Sequence, residues 1–329
     1  MRAPHADMAG IKIEATGRYL PQTVVTNDML STVVDTNDEW ITTRTGIHTR
    51  RFVSGDDNTL SMAAKAARDA IETGGIDKNR IGTVIVSTFT GDYATPSVAC
   101  LLQRELGLPE DIAAFDISAA CAGFVYALHL AHSLLLANPD QLILLVGSEV
   151  LSKATNFDDR GTCILFGDGA GAAVVSAKED APFRFVSGVT GSDEFVFCGG
   201  LKNSGTPFSN VTAPSPNPSI FMNGREVFKF AVDSMVKGIH ALESDMPGAP
   251  DYYISHQANS RIIHSAAKKL GVPEEKFYTN IGRYGNTSSA SIPIAMDEMH
   301  KAGLLKEGMR LILVGFGGGL TYGAAYFIW

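Results

Sequence analysis

Three side chains in this sequence are of types that together handle acyl groups: Cys121, His256 and Asn286. A cysteine thiolate takes an acyl group from a thioester, and imidazole and carboxamide N–H groups hold the enolate or oxyanion that then develops. Cys121 stands in Ala119-Ala120-Cys121-Ala122-Gly123, between an apolar run ending Ala114-Phe115-Asp116-Ile117 and an apolar helical run over 124–137. That placement predicts a strand-to-helix junction with the cysteine on the first turn of a buried helix. Unpaired N–H groups and the macrodipole favour a thiolate there, and small neighbours leave space at the sulfur. Each residue also has a plain structural reading. Cys121 could pack beside its alanines, His256 could be a satisfied strand-end histidine, and Asn286 after Gly285 could cap a turn.

The elements that would position these residues repeat. Leu106-Gly107-Leu108-Pro109-Glu110-Asp111 matches Leu270-Gly271-Val272-Pro273-Glu274-Glu275. Each copy reads as strand, helix, strand and buried helix, then closes on an apolar strand ending Val146-Gly147 or Val314-Gly315. A long β-α-β-α-β unit present twice indicates duplicated α/β halves packed together. In that alignment Cys121 and Gly285-Asn286 open equivalent buried helices, and His256 follows the strand equivalent to 81–88. Two pseudo-symmetric helix N-termini then face one shared site.

The remaining pattern fills in around this frame. Alternation predicts a first strand over 11–15 and a turn over 17–21, with short helices near Asn27-Asp28 and 35–41. Helices are expected over 60–73, 97–106, 226–244, 262–270 and up to His300, and strands over 81–89, 141–146, 163–166, 172–176, 252–255 and 311–314. Residues 188–224 are dense in Gly, Pro, Ser and Asn and read as a loop region with short strands, a cap over a site. The division expected is a flexible tail over 1–10, an N-terminal half over 11–180 carrying Cys121, and a C-terminal half over 181–329 carrying His256 and Asn286.

Bulk properties exclude several classes. A 329-residue chain that is 45% apolar builds well-filled cores, and its net charge of −8 offers no global attraction to nucleic acid or an anionic membrane. The four cysteines are widely spaced with no C-x-x-C pair, which is neither a disulfide framework nor a zinc pattern and fits a reducing cytoplasm. No apolar run is read as reaching the roughly 18 residues of a membrane helix, and the N-terminus lacks a signal-peptide core. The glycine runs 167–171 and 315–319 lack the helix and second strand of a dinucleotide-binding unit. His129 and His132 lie three apart on an apolar helix without an apparent third metal ligand. No cofactor or metal is expected.

Further motifs join the central set: His256-Gln257-Ala258-Asn259, Gly285-Asn286-Thr287-Ser288, Gly315-Phe316-Gly317-Gly318-Gly319, Trp40 with Thr43-Arg44-Thr45-Gly46-Ile47, and Asp159-Arg160-Gly161-Thr162. Together with 119–123 they resemble β-ketoacyl-acyl-carrier-protein synthase III, of the thiolase superfamily, over about residues 11–329. Thiolases carry a second catalytic cysteine near the C-terminal glycines, and this chain has none there. The elongating synthases are longer and use two histidines, and the chalcone-type synthases, which share Cys-His-Asn, are also longer.

The resemblance implies a thiolase-like fold of two duplicated halves in a layered αβαβα sandwich. It also implies a two-step decarboxylating Claisen condensation. Cys121 would take the acyl group of an acyl-CoA. His256 and Asn286 would stabilise the enolate formed as malonyl-acyl carrier protein loses carbon dioxide, and the backbone N–H groups of Cys121 and Gly318 would form the oxyanion hole. Trp40, Arg44 and Arg160 would bracket the adenine of CoA, for which stacking and cation–π contacts suit those residue types. Thr36, Phe228, Ala258 and Asn259 would line the pantetheine tunnel; Arg225, where the family often has asparagine, is a departure there. Arg261, Lys268 and Lys269 share one helical face and would dock the acidic carrier protein. Phe316 and Thr95 would border the acyl pocket, Thr95 from the partner subunit of a homodimer. CoA is then a substrate. The alternatives are a starter-unit synthase of a polyketide or quinolone pathway and a non-catalytic scaffold with a decayed site; the intact Cys-His-Asn set counts against the last.

Overall fold

The computed structural model describes residues 10–199, 219–244, 246 and 248–329. The expected tail, apart from Gly10, and residues 200–218 of the expected cap lie outside the described residues. In chain order the strands are β1 (Gly10–Tyr19), β2 (Thr23–Thr26), β3 (Thr49–Phe52), β4 (Ile81–Ser87), β5 (Ala113–Ile117), β6 (Leu142–Glu149), β7 (Gly169–Lys178), β8 (Phe183–Ser192), β9 (Val196–Phe197), β10 (Phe221–Met222), β11 (Tyr252–Ser255), β12 (Arg310–Gly317) and β13 (Gly319–Ile328). The α-helices are α1 (Asn27–Leu30), α2 (Asp38–Thr45), α3 (Thr59–Thr73), α4 (Val98–Leu106), α5 (Gly123–Ala137), α6 (Arg160–Cys163), α7 (Gly224–Glu243), α8 (Ser260–Leu270), α9 (Ile281–Tyr284) and α10 (Ser291–Lys301).

Two mixed sheets carry the fold, ordered β1-β7-β6-β4-β5 and β11-β12-β13-β8. The central strands β4, β6 and β12 are nearly continuously apolar and buried, as strands covered on both faces must be. One core joins the sheets: Phe124, Leu128 and Leu135 of α5 and Ile292, Met296 and Met299 of α10 pack with Ile85, Leu145, Leu313 and Phe327 from the strands. The outer face of the first sheet is covered by α3 and α4, and that of the second by α7 and α8. The layers therefore run α, β, α, β, α. Each fully buried Leu or Ile in them contributes roughly 1.5–3 kcal/mol.

Local chemistry sets the helix ends. Asn58 and Ser61 close a capping box at α3. Ser97 caps α4, and Asp116 of β5 accepts from the N–H groups of Val98 and Ala99 at 2.7 and 2.8 Å. The repeated Leu-Gly motif ends α4 and α8 alike, with Gly107 and Gly271 both left-handed at φ 61° and 67°. The second copy departs from the first where a strand equivalent to β5 was expected. Only an isolated bridge between Tyr253 and Phe277 stands there.

Other expectations are corrected. Residues 17–19 continue β1 and do not turn. Residues 160–163 form α6, so 163–166 is no strand; Phe166 makes a single bridge to Asn286. Thr26, one residue earlier than expected, caps α1. Residues 188–192 extend β8, and 315–317 belong to β12. Ala120–Ala137 is long and apolar enough to cross a membrane by length and composition, against the expectation of no such run. It is the central helix between the sheets, which accounts for its composition. His129 and His132 stack on Phe185 and Phe183 at 4.1 and 4.3 Å between ring centroids. They cover the core, and among the described residues no group of three or more His, Cys, Asp or Glu could hold a metal.

Candidate active site

A cavity of about 250 Å³ brings Cys121, His256 and Asn286 together, along with Phe316 and Gly318. Each reaches it from the end of a different element. Cys121 lies in a 3-10 turn, Ala120–Ala122, directly before α5; it is open to the cavity yet surrounded by protein. Ala120 holds a positive φ of 45° there, a costly conformation for a residue with a Cβ. The turn fits against β12 only because that strand ends in glycines. A methyl group at Gly317 would sit 2.9 Å from the backbone N and Cβ of Cys121 and 3.2 Å from its sulfur, and one at Gly315 would meet Ala122 Cα at 2.7 Å.

His256 extends β11, its N–H bonded to Val314 O at 2.7 Å. The ring is buried, and Nδ1 lies 2.7 Å from Ser291 Oγ at the first position of α10. Burial pushes this imidazole down to about 3, so it is neutral. With Ser291 donating to Nδ1, the neutral ring carries its proton on Nε2, as a hydrogen-bond donor to an oxyanion requires. Gln257 fixes the segment: its side chain donates to Ser255 O and Tyr278 O and accepts from Asn280 N.

Asn286 is held by the bridge to Phe166, with its N–H on Leu165 O at 2.8 Å. Its side-chain oxygen accepts from Ser288 N at 2.9 Å, which leaves the amide N–H groups for a ligand. Ser288 also stands with Cys121 in the cavity wall, where its hydroxyl favours the thiolate. Burial above all, then the charge of Glu149, push the Cys121 thiol up to about 12 against the Ser288 hydroxyl. The resting group is a thiol, so the expected helix-terminal thiolate is outweighed by desolvation.

The mouth of the cavity holds most of the other expected residues. Trp40, Arg44, Phe228, Ala258 and Asn259 line it, whereas Thr36, Arg160 and Thr95 do not. Arg160 nonetheless lies over the Trp40 ring at 4.8 Å, facing the same indole as Arg44 at 4.7 Å. The hydroxyl of Thr36 is buried without a hydrogen-bond partner among the described residues. Asn259 caps α8 and donates to Arg44 O at 3.0 Å, which ties α2 to the cavity. Arg225 and Thr95 are exposed. Arg261, Lys268 and Lys269 are exposed on α8, with Lys269 paired to Asp233 at 2.9 Å and Arg261 6.0 Å over the Phe228 ring.

Sequence reasoning missed Ser291 and Glu149, and it named Ser288 only within a motif, without a role. The hydroxyls look like ordinary helix-start residues, and nothing in their spacing announces a tautomer-setting or cysteine-facing role. Glu149 did carry a signal: a lone carboxylate closing an apolar strand that is buried throughout.

The chain matches two family models, 3-oxoacyl-[acyl-carrier-protein] synthase III over residues 115–194 and the C-terminal part of the same family over 247–329. It is 48% identical over 327 residues to a β-ketoacyl-[acyl-carrier-protein] synthase III of Clostridium botulinum, covering 98% of this chain and 99% of that protein. Among solved structures, the 3-oxoacyl-[acyl-carrier-protein] synthase III of Aquifex aeolicus is 41% identical with a TM-score of 0.88, covering 97% of this chain and all of the other. The priming β-ketosynthase of the R1128 polyketide pathway is 34% identical at the same TM-score, covering 100% and 98%. Full-length identity of this order, on a cavity that unites the cysteine, histidine and asparagine, places the chain in the β-ketoacyl-[acyl-carrier-protein] synthase III family, with its thiolase-like fold.

Proposed function

We propose that this protein catalyses the condensation that initiates fatty acid synthesis, joining an acyl-CoA primer to malonyl-acyl carrier protein with loss of carbon dioxide. The single observation that carries this reading is the cavity lined by Cys121, His256 and Asn286, in a chain 48% identical to curated synthases over its whole length. Cys121 attacks the thioester carbonyl and CoA leaves. The backbone N–H groups of Cys121 and Gly318 hold the oxyanion. Malonyl-acyl carrier protein then enters, and Nε2–H of His256 and the amide of Asn286 hold the enolate as carbon dioxide departs. The enolate carbon attacks the acyl-cysteine, and the ketoacyl product leaves on the carrier.

Trp40, Arg44 and Arg160 hold the adenine of CoA, and Thr36, Phe228, Ala258 and Asn259 its pantetheine arm; the open-edged, aromatic and cationic character of the mouth supports this. Arg225 stands exposed at the start of α7, next to Gly224 of the cavity lining. Arg261, Lys268 and Lys269 meet the carrier protein. The protein acts in the cytoplasm as a homodimer. Its support is the exposed edge strand β5 with Phe115 outward, a surface that invites strand pairing, and the exposed Thr95, free to reach a partner's acyl pocket beside Phe316. No cofactor takes part; CoA is a substrate.

The polyketide starter-unit reading shares this chemistry, and the similarity to the R1128 priming synthase favours keeping it as the second reading. Primer preference separates the two. Acetyl-, butyryl-, hexanoyl- and octanoyl-CoA should each be assayed with malonyl-acyl carrier protein and the products identified by mass. Because each accommodated methylene adds roughly 0.8 kcal/mol of burial, the small Thr95 should let preference climb beyond acetyl, and Thr95→Phe should cut the longer primers alone. A wild-type profile falling steeply after acetyl would refute the roomy pocket, and absence of any ketoacyl product would refute the function.

A further inference from the structure

Glu149 ends β6 and is fully buried beside the site, yet the mechanism above does not use it. Its donors among the described residues are neutral. Oε2 accepts from Thr88 Oγ1 at 3.2 Å, Phe89 N at 3.3 Å and Thr90 Oγ1 at 2.7 Å. Oε1 lies 2.9 Å from Ser289 Oγ and 3.2 Å from Ser288 Oγ. Both serines have a second partner. Ser289 Oγ is 2.8 Å from Ser87 O, which can only accept, and Ser288 shares the cavity wall with Cys121, where its hydroxyl, as a donor to the sulfur, favours the thiolate. A hydroxyl has one proton, so Ser288 cannot donate both to Glu149 and to a Cys121 thiolate.

We propose that Glu149 is a positioning residue whose protonation is coupled to that of Cys121 through Ser288, in a hydrogen-bond chain that runs in either direction. With Glu149 ionised, the Cys121 thiol donates to Ser288 Oγ and Ser288 donates to Oε1. With Glu149 protonated on Oε1, the carboxylic acid donates to Ser288 and Ser288 donates to the thiolate sulfur. The two arrangements hold the same number of protons: the sulfur's proton passes to Ser288 Oγ as the serine's own proton passes to Oε1. Attack on a thioester then leaves no second negative charge beside the sulfur. Burial of the carboxyl, only partly offset by its neutral donors, holds Glu149 up at about 7, where both forms are accessible. Among the described residues the titratable groups facing Glu149 are Cys121 and, directly after β9, Cys198, whose thiol is pushed up mainly by burial.

This coupling rests on Cys121 as the nucleophile, but it is read without any acyl substrate. The pH dependence of iodoacetamide alkylation should be followed at Cys121, with the labelled peptide identified by mass so that Cys198 is counted separately. Glu149→Gln places an amide N–H where Oε1 was and a carbonyl where Oε2 was, which fixes the chain in its thiolate-supporting direction. Its alkylation midpoint should fall by roughly one pH unit or more. Ser288→Ala removes the sulfur's donor and should raise the midpoint, and in that background Glu149→Gln should shift it by much less than alone. Coincident midpoints for wild type and Glu149→Gln, shifts of both single variants in one direction, or additive shifts in the double variant would each overturn the coupling. If Glu149→Gln does not fold, Ser288→Ala decides alone: an unchanged midpoint sinks the proposal. A wrong nucleophile shows up elsewhere, as acyl-enzyme still formed by Cys121→Ser.

Discussion

The two duplicated halves put the same device on either side of the cavity and finish it differently. Before α5 and before α10 stands a 3-10 turn, Ala120–Ala122 and Ser288–Ala290, each opened by a non-glycine residue at positive φ, Ala120 at 45° and Ser288 at 51°. Cys121 and Ser289 are equivalent in these turns. Each turn lies against the closing strand of the opposite half. A methyl group at Gly147 would meet Ser289 O at 2.6 Å, just as one at Gly315 would meet the Cys121 turn. Two residues further on the strands part company. β6 presents Glu149, which fastens Ser288 and Ser289, whereas β12 presents Gly317, which has no side chain over Cys121. One helix start is tied down by a carboxylate; the other is left open to a substrate. The choice of residue at one strand end, carboxylate or glycine, sets how open each turn is to the cavity.

Exchanging the equivalents tests this most severely. Cys121→Ser should slow acyl-enzyme formation at least about 10³-fold by intact mass, while Ser289→Ala should keep its acyl-enzyme. Normal adduct formation on another cysteine in Cys121→Ser would erase the distinction. His256→Ala and Asn286→Ala should lose about 10²–10³-fold in malonyl decarboxylation, from missing enolate donors, yet still acylate Cys121. A variant that decarboxylates normally would remove that residue from its role. Gly317→Ala sharpens the contrast further. A methyl group pressed on the cysteine backbone should misplace the sulfur and cost on the order of 10²-fold in acylation, with the melting temperature changed far less than the rate.

A gentler probe is acid. His256 is held down to about 3 by burial, against an unfolded value of 6.5. Below pH 6.5 the unfolded chain binds a proton there that the native protein refuses, so stability should fall as pH drops from 6.5 towards 3. His256→Asn should flatten that part of the acid limb in a series of melting temperatures; an unchanged slope would mean the ring titrates normally. The smallest effect belongs to the surface. Glutamate at Arg261 and Lys268 should raise the carrier-protein KM several-fold and leave acyl-CoA kinetics alone, with the effect fading in salt. Lys269 should matter less because Asp233 already engages it. Equal damage to both substrates would point to misfolding.

Much of this was legible in the residues. Periodicity and the Leu-Gly repeat located the long strands and helices, because Gly107 and Gly271 must adopt a left-handed end that few residues tolerate. The junction at Cys121 was readable because small residues cluster around it. What stayed hidden depends on contacts far apart in sequence. Ser291 meets His256 across 35 residues, and Glu149 meets Ser289 across 140. Local pattern also misled at 163–166, an apolar stretch whose first three residues pack in the Ile41 and Ile281 cluster while Phe166 packs with Leu151 and Ile220, without joining a sheet. The apolar α5 passed as an ordinary core helix only because the second sheet covers it.

Trp40 has a further use. The chain contains two tryptophans, Trp40 at the cavity mouth and Trp329 at the edge of the His300 ring. With guanidinium groups 4.7 and 4.8 Å from its ring, Trp40 sits in an electric field that any ligand stacking there must rearrange. Its ultraviolet emission is therefore a built-in optical reporter of the entrance. In a Trp329→Phe background, a titration with CoA would read occupancy from one indole, without a label.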